Sequence, residues 1–142
     1  MANQQPYKST LTIPSQTERL NDVREFVSAL ARTHGFVEDD INKITIAVDE
    51  ACTNIIKYGY AYAPNQSIEI DIIRSGNDFE IIISDNGKQF DANAIQSPDM
   101  KDYFAHYRRG GLGVYLMKRI MDTVEFNLHS DKNVLRMMKT LH

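Results

Sequence analysis

The sequence predicts an α+β fold, a two-layer sandwich with helices packed on one face of a mixed, mostly antiparallel sheet. Three observations carry that expectation. Segments of strand and helix period follow in the order β α α β β, then a long irregular stretch, then α β β. A short polar turn joins the two middle strands into a hairpin. The 142 residues suit a single domain, and a domain of this size buries roughly 68–70% of its unfolded surface, enough for one core.

Each element has its own signal. Lys8 to Ile13 alternates and reads as a short strand, ended by Pro14. Ser15 or Thr17 can cap the helix that follows, whose apolar positions Leu20, Val23, Phe26, Val27 and Leu30 fall at helical spacing; it runs to about Thr33, where Gly35 stops it. The acids of Glu38 to Asp40 suit the start of a second helix. That helix passes through Ile41, Ile44, Val48, Ala51 and Ile55 to about Tyr58, with Gly59 past its end. Gln66 to Arg74 places Ile68, Ile70 and Ile72 on one strand face, and Ser75-Gly76-Asn77-Asp78 is a turn. Phe79 to Ser84 holds the run Ile81-Ile82-Ile83, which predicts a central, buried strand. Asp85 to Gly113 is polar, contains Pro98 and shows no sustained period; a long irregular stretch inside a compact domain is usually functional or mobile. Leu112 to Met121 returns to helix, and Thr123 to Leu128 and Asn133 to Leu141 close the chain as strands around the turn Asp131-Lys132-Asn133.

Composition narrows the function. The net charge of −3 gives no overall basic field for nucleic acid or an anionic membrane, although Lys57, Arg108, Arg109, Lys118 and Arg119 could form a local patch. The single cysteine, Cys52, rules out a disulfide within the chain and suits a reducing compartment. The polar start lacks the apolar core of a signal peptide, and no apolar run approaches the ~20 residues that span a bilayer, so a cytoplasmic protein is expected. His34, His106, His129 and His142 have no metal-ligand spacing.

Three segments can carry chemistry. In Asp49-Glu50-Ala51-Cys52-Thr53-Asn54-Ile55-Ile56-Lys57, Glu50 and Asn54 are four residues apart and share a helix face, with Ile44, Val48, Ala51 and Ile55 opposite. A carboxylate and an amide there can hold a nucleophile and a hard cation; alone, the pair is better read as a solvated helix face. In Ser84-Asp85-Asn86-Gly87, an Asp at a strand end can accept a hydrogen bond from an exocyclic amine such as that of adenine, and Gly87 lets a flat ligand approach the backbone; alone, it is an Asn-Gly turn. In Arg108-Arg109-Gly110-Gly111-Leu112-Gly113, glycines before a helix let amides point at an anion, with arginines as charge-assisted donors; the alternative is a hinge. The segment is neither a P-loop nor a dinucleotide fingerprint, because no Gly-Lys-Ser/Thr follows and no strand directly precedes it.

Taken together and in this order, the segments resemble the N, G1 and G2 boxes of the GHKL (Bergerat-fold) superfamily, and within it the anti-sigma-factor serine/threonine kinases of bacterial partner switching. The resemblance covers nearly the whole chain and is closest at Glu50 to Tyr58 and Gly111 to Met117. It implies residues 1–142 as one ATP-binding kinase domain with an ATP lid at about 91–110. Glu50 would be the general base and Asn54 the Mg²⁺ ligand. Asp85 would hold the adenine amine, with Gly87 beside it. Gly110, Gly111, Leu112 and Gly113 would present the phosphate loop, with Arg109 and Lys57 near the nucleotide. The implied partner is an anti-sigma-factor antagonist as phosphorylation substrate, with a sigma factor as a second partner and a homodimer as the assembly; direct nucleic-acid or membrane binding is not implied. The chain departs from the family in its last hairpin, which lacks the usual Gly-Thr and the later Thr on the adenine side and carries Met137-Met138 instead. Two other readings compete with the kinase. One is a non-catalytic ATP-binding switch module. The other is a detached histidine-kinase catalytic domain, disfavoured because no helical His-bearing segment precedes the N box.

Overall fold

The computed structural model describes residues 6–87 and 113–142. Strand β1 (Tyr7–Pro14) leads through a 3₁₀ turn (Thr17–Arg19) into helix α1 (Leu20–His34), followed by α2 (Glu38–Asn54) and a π turn (Ile55–Gly59). Strands β2 (Ser67–Ser75) and β3 (Asp78–Asp85) come next, then α3 (Gly113–Ile120), β4 (Thr123–His129) and β5 (Lys132–Thr140). The five strands form one sheet in the order β1-β2-β3-β5-β4, and every pairing is antiparallel.

Alternation in the strands sets which face the helices cover. Ile68, Ile70 and Ile72 of β2 stand beside Phe79, Ile81 and Ile83 of β3, Ile13 of β1, and Leu135 and Met137 of β5, all buried. Against them lie Leu20, Val23, Val27 and Ala31 of α1, Ile41, Ile44, Val48 and Ala51 of α2, and Met117 of α3. Strand β3 sits at the sheet centre, as its isoleucine run predicts, but only Ile81 and Ile83 are buried. Ile82 points to the other face and is half-buried, since successive side chains alternate and, among the described residues, no helix covers that side. One end of the core is closed by an aromatic group: Phe79 packs edge-on against Phe36 with ring centroids 5.6 Å apart, and His34 lies 5.5 Å from Phe79.

The punctuation of the chain is partly as expected. Gly35 ends α1 in the left-handed region at φ 113°, its N–H and that of Phe36 returning to the carbonyls of Arg32 and Ala31. Gly76 at φ 59° opens the two-residue loop between β2 and β3. The caps differ from expectation. Neither Ser15 nor Thr17 caps a helix; α1 begins at Leu20, after the 3₁₀ turn, with no side-chain cap bond. The Ser15 hydroxyl instead donates to the Ala63 carbonyl and accepts from the Gln66 N–H at 3.2 Å, tying the end of β1 to the loop before β2. The second correction is the last turn. Its loop is Ser130-Asp131, and Lys132 and Asn133 already belong to β5, with His129 paired to Lys132. Among the described residues, no helix is long and apolar enough to cross a membrane.

Phe79 is fully buried, so Phe79→Ala leaves a cavity beneath Phe36 and His34. The expected loss is about 3–5 kcal/mol of unfolding free energy, read from urea denaturation.

Candidate functional site

Helix α2 carries the first part of the site. Its apolar stripe turns Ile41, Ile44, Val48, Ala51 and Cys52 into the core. Asn54 follows them inward rather than facing solvent, with 4% of its surface exposed. Glu50, one turn earlier, is half-buried. Glu50 Oε2 and Asn54 Nδ2 are both sealed from solvent and have no hydrogen-bond partner; among the described residues only His34 Nε2 shares that condition. A buried polar atom without a partner costs about 1–3 kcal/mol, so nearly all are satisfied in native proteins. Two of them one turn apart exclude a plain solvated helix face. The Glu50 carboxyl is pushed above the ordinary Glu range, first by burial and then by the adjacent charge of Asp49, with Lys57 pulling it back. Asp49 is held by Arg24 of α1, whose Nε donates to Oδ1 at 2.8 Å.

Beyond Asn54 the helix widens. Tyr60 N–H returns to the Ile55 carbonyl at 2.8 Å, five residues back, and the turn Ile55–Gly59 is π rather than α. Single π turns recur at functional sites. Here the wider turn brings Gly59 against the loop that leaves β3. A Cβ on Gly87 would sit 2.7 Å from the Gly59 carbonyl carbon, so the two backbones touch. The absence of a side chain at Gly87 is therefore required by the protein's own packing. Tyr60 braces the same junction: its hydroxyl accepts from the Asn86 N–H at 2.8 Å and donates to the Ser67 carbonyl at 2.7 Å.

The second part of the site, Asp85, ends β3 and is 6% exposed. Its Oδ1 accepts from the Gly87 N–H at 2.8 Å and from Asn133 Nδ2 at 3.1 Å. Burial pushes this carboxyl up from the ordinary Asp range, and the bonds from Asn133 and Gly87 partly offset the rise. The field of Asp85 reaches back to α2. The buried Cys52 thiol is pushed up to about 12, by burial first and then by the charges of Asp49 and Asp85.

Glu50 and Asn54 thus lie at the end of α2 and Lys57 in the π turn after it, and Gly59 of that turn sets this end of the helix against Asp85 and Gly87 at the end of β3. Gly113 opens α3, which packs on α2. Arg109, Gly110, Gly111 and Leu112, and the predicted lid at 91–110, lie outside the described residues. Sequence reading missed Tyr60 and Asn133. Neither has a local signal, since both act across the fold; Asn133 meets Asp85 through the pairing of β3 with β5, strands that no hairpin joins.

With this geometry in place, the relatives are informative. Residues 13–139 match the model of the histidine kinase-like ATPase domain. The chain belongs to that family. Among curated relatives of this ATPase-domain chain, the serine-protein kinase RsbW of Halalkalibacterium halodurans is 34% identical over 141 residues, which covers 96% of this chain and 85% of that protein. Solved structures share the fold. The RsbU and RsbW domains of a Mycobacterium tuberculosis protein align with TM-score 0.69 at 14% identity, over 95% of this chain and 32% of that one. The SiaB–SiaC complex of Pseudomonas aeruginosa aligns with TM-score 0.60 at 12% identity, over 94% of this chain and 89% of that one. A histidine kinase-like ATPase domain uses ATP, and among the described residues the ends of α2 and β3 hold the buried polar residues Asn54, Ser84 and Asp85.

The Gly59–Gly87 contact predicts an asymmetry between two glycines. Gly87→Ala should lose about 1–3 kcal/mol through overpacking. Gly59→Ala, whose Cβ meets Asp85, Ile55 and Gly87 no closer than 3.7 Å, should stay within about 0.5 kcal/mol of the parent. Chemical denaturation of the two variants side by side checks it.

Proposed function

We propose that this chain is an ATP-dependent serine/threonine protein kinase that works by partner switching: it phosphorylates an anti-sigma-factor antagonist and acts as an anti-sigma factor or related regulator. The observation that carries the reading is the pair of buried, unpartnered polar atoms on Glu50 and Asn54, one helical turn apart. The 34% identity to a serine-protein kinase supports the choice of serine over histidine as acceptor. The fold shared with the RsbW domain and with SiaB, solved in complex with SiaC, supports a protein as the substrate.

The residues present fit a magnesium nucleotide. Asn54 offers one amide oxygen to a hard cation and N–H groups to phosphate oxygens, and its Nδ2 has no acceptor within the protein. When bound, the metal would neutralise charge on the phosphate oxygens. Asp85 would accept the exocyclic amine of adenine, with Lys57, Arg109 and the backbone of Gly110 to Gly113 serving the phosphates. Glu50 would take the proton of the acceptor hydroxyl as that oxygen bonds to the terminal phosphorus; the bond to the bridging oxygen breaks, and ADP leaves. Burial strengthens Glu50 as a base by disfavouring its charged form. A cytoplasmic location and a homodimer belong to the same proposal.

The test is transfer from labelled ATP to antagonist-like proteins of the same genome. Acid-stable label with the parent chain is the expected result, because phosphoserine and phosphothreonine survive acid and phosphohistidine does not. Glu50→Gln should keep ATP affinity and lose transfer; transfer near the parent rate would place the base elsewhere. No label with ATP still bound would favour a non-catalytic switch module.

The raised Glu50 carboxyl also fixes a pH dependence. Transfer should fall on acidification with a midpoint above the ordinary Glu range, and Asp49→Asn should move that limb to lower pH by removing a neighbouring negative charge. Rate profiles of the two chains decide it.

Asp85→Asn should abolish ATP binding. Its effect on stability has the opposite sign. A carboxyl whose folded pKa is raised gives its full stability only below the unfolded value and loses it as pH rises through the folded one. At neutral pH the buried charge is a net cost, so the variant should melt no lower than the parent. A marked fall in melting temperature would contradict this.

A further inference from the structure

A residue that the sequence assigns to the last turn stands beside Asp85 instead. Asn133 is paired opposite Asp85 on the last rung between β3 and β5. Its Nδ2 donates to Asp85 Oδ1 at 3.1 Å and to the Gly87 carbonyl at 3.3 Å. We propose that Asn133 is a positioning residue: it holds the Asp85 carboxylate in one orientation as an acceptor for the exocyclic amine of adenine, and so sets the preference for adenine over guanine nucleotides. The proposal rests on the nucleotide reading of the site.

The chemistry follows from counting donors and acceptors. Oδ1 already accepts from Gly87 N–H and from Asn133, which leaves Oδ2 as the oxygen that neither donor occupies. An ionised carboxylate only accepts hydrogen bonds. Adenine presents an amine donor where guanine presents a carbonyl oxygen, so a fixed carboxylate pairs with the first and opposes the second. A carboxyl free to rotate, or to take up a proton, could turn an O–H to the guanine oxygen and lose the distinction. Asn133 guards against both outcomes. Its N–H favours the charged form of a carboxyl that burial otherwise disfavours, and its second bond to Gly87 fixes the loop from which that carboxyl is held. The place of Asn133 is in turn fixed by the ladder, because the antiparallel pairing of β3 with β5 sets it directly opposite Asp85.

Equilibrium binding of ATP and GTP by calorimetry tests the proposal on the parent chain and on Asn133→Leu, Asn133→Asp, Asn133→Ser and Asp85→Asn, with thermal melting of each. Leu has the branched shape of Asn and no donor. The expected result is an ATP-over-GTP preference in the parent that falls about tenfold in Asn133→Leu, the size of one charge-assisted hydrogen bond. The Asp variant, which sets carboxylate against carboxylate, should fall further, and the Ser variant, which keeps a donor, should lie nearer the parent. The ratio is the deciding quantity, because general loosening weakens both nucleotides alike. A folded Asn133→Leu with the parent ratio overturns the proposal. If the Leu variant does not fold, equal ratios for the Ser and Asp variants overturn it. A parent without ATP preference, or Asp85→Asn with parent affinity, overturns the nucleotide reading and this proposal together. ATP binding that is lost in Asp85→Asn, with the parent preference kept in Asn133→Leu, removes only the role of Asn133.

Discussion

The contact between the backbones of Gly59 and Gly87 governs the arrangement of everything near the site. The sheet and the helices would pack through their isoleucines and valines in many small variations of offset, since apolar contact is not directional. Two backbones in touch, with the Tyr60 hydroxyl joining Asn86 to Ser67 alongside, admit far less variation. They fix the end of α2 against the end of β3 and therefore set Glu50 and Asn54 in relation to Asp85. The π turn belongs to the same constraint, because it carries the chain from the α2 axis out to Gly59.

Most of the fold was legible because its elements obey simple periods. Alternation in β2 and β3, helical spacing in α1 and α2, and the left-handed stop at Gly35 are local properties of the chain. The candidate residues Glu50, Asn54, Asp85 and Gly87 were legible for another reason, namely the order of three segments that individually mean little. What escaped was non-local. A polar residue is assigned to the wet side of a helix by its polarity, so the burial of Asn54 could not be read from the pattern. A π turn is a slip in backbone pairing by one residue, and no residue type in Ile55–Gly59 announces it. Ser15 has the chemistry of a cap, yet it spends its hydroxyl on a loop 48 residues away. Asn133 looked like a turn residue because Asn favours turns, while strand register made it a partner of Asp85.

The site also illustrates how such a domain departs from maximal stability. Two carboxyls are held where burial disfavours their charge, and two polar atoms on α2 are sealed without partners. Each departure is individually small compared with the apolar core, but a domain's net stability is only about 5–15 kcal/mol. The helices and sheet can carry this load because the core beneath is continuous from Ile13 to Met137. Groups left short of partners by the protein are the groups that a ligand can complete, and the same ligand then adds to stability through mass action.

Cys52 gives the chain an internal reporter. It is the only cysteine, lies two residues from both Glu50 and Asn54, and is fully enclosed with its thiol pushed up to about 12. The thiolate is the reactive form, so oxidants and alkylating reagents find almost nothing to attack while α2 is seated. Modification must wait for the helix to lift from the sheet. The rate at which a thiol reagent consumes the native protein therefore measures how often that end of α2 opens, without any label being added, and its slowing on addition of a nucleotide would register occupancy from inside the core.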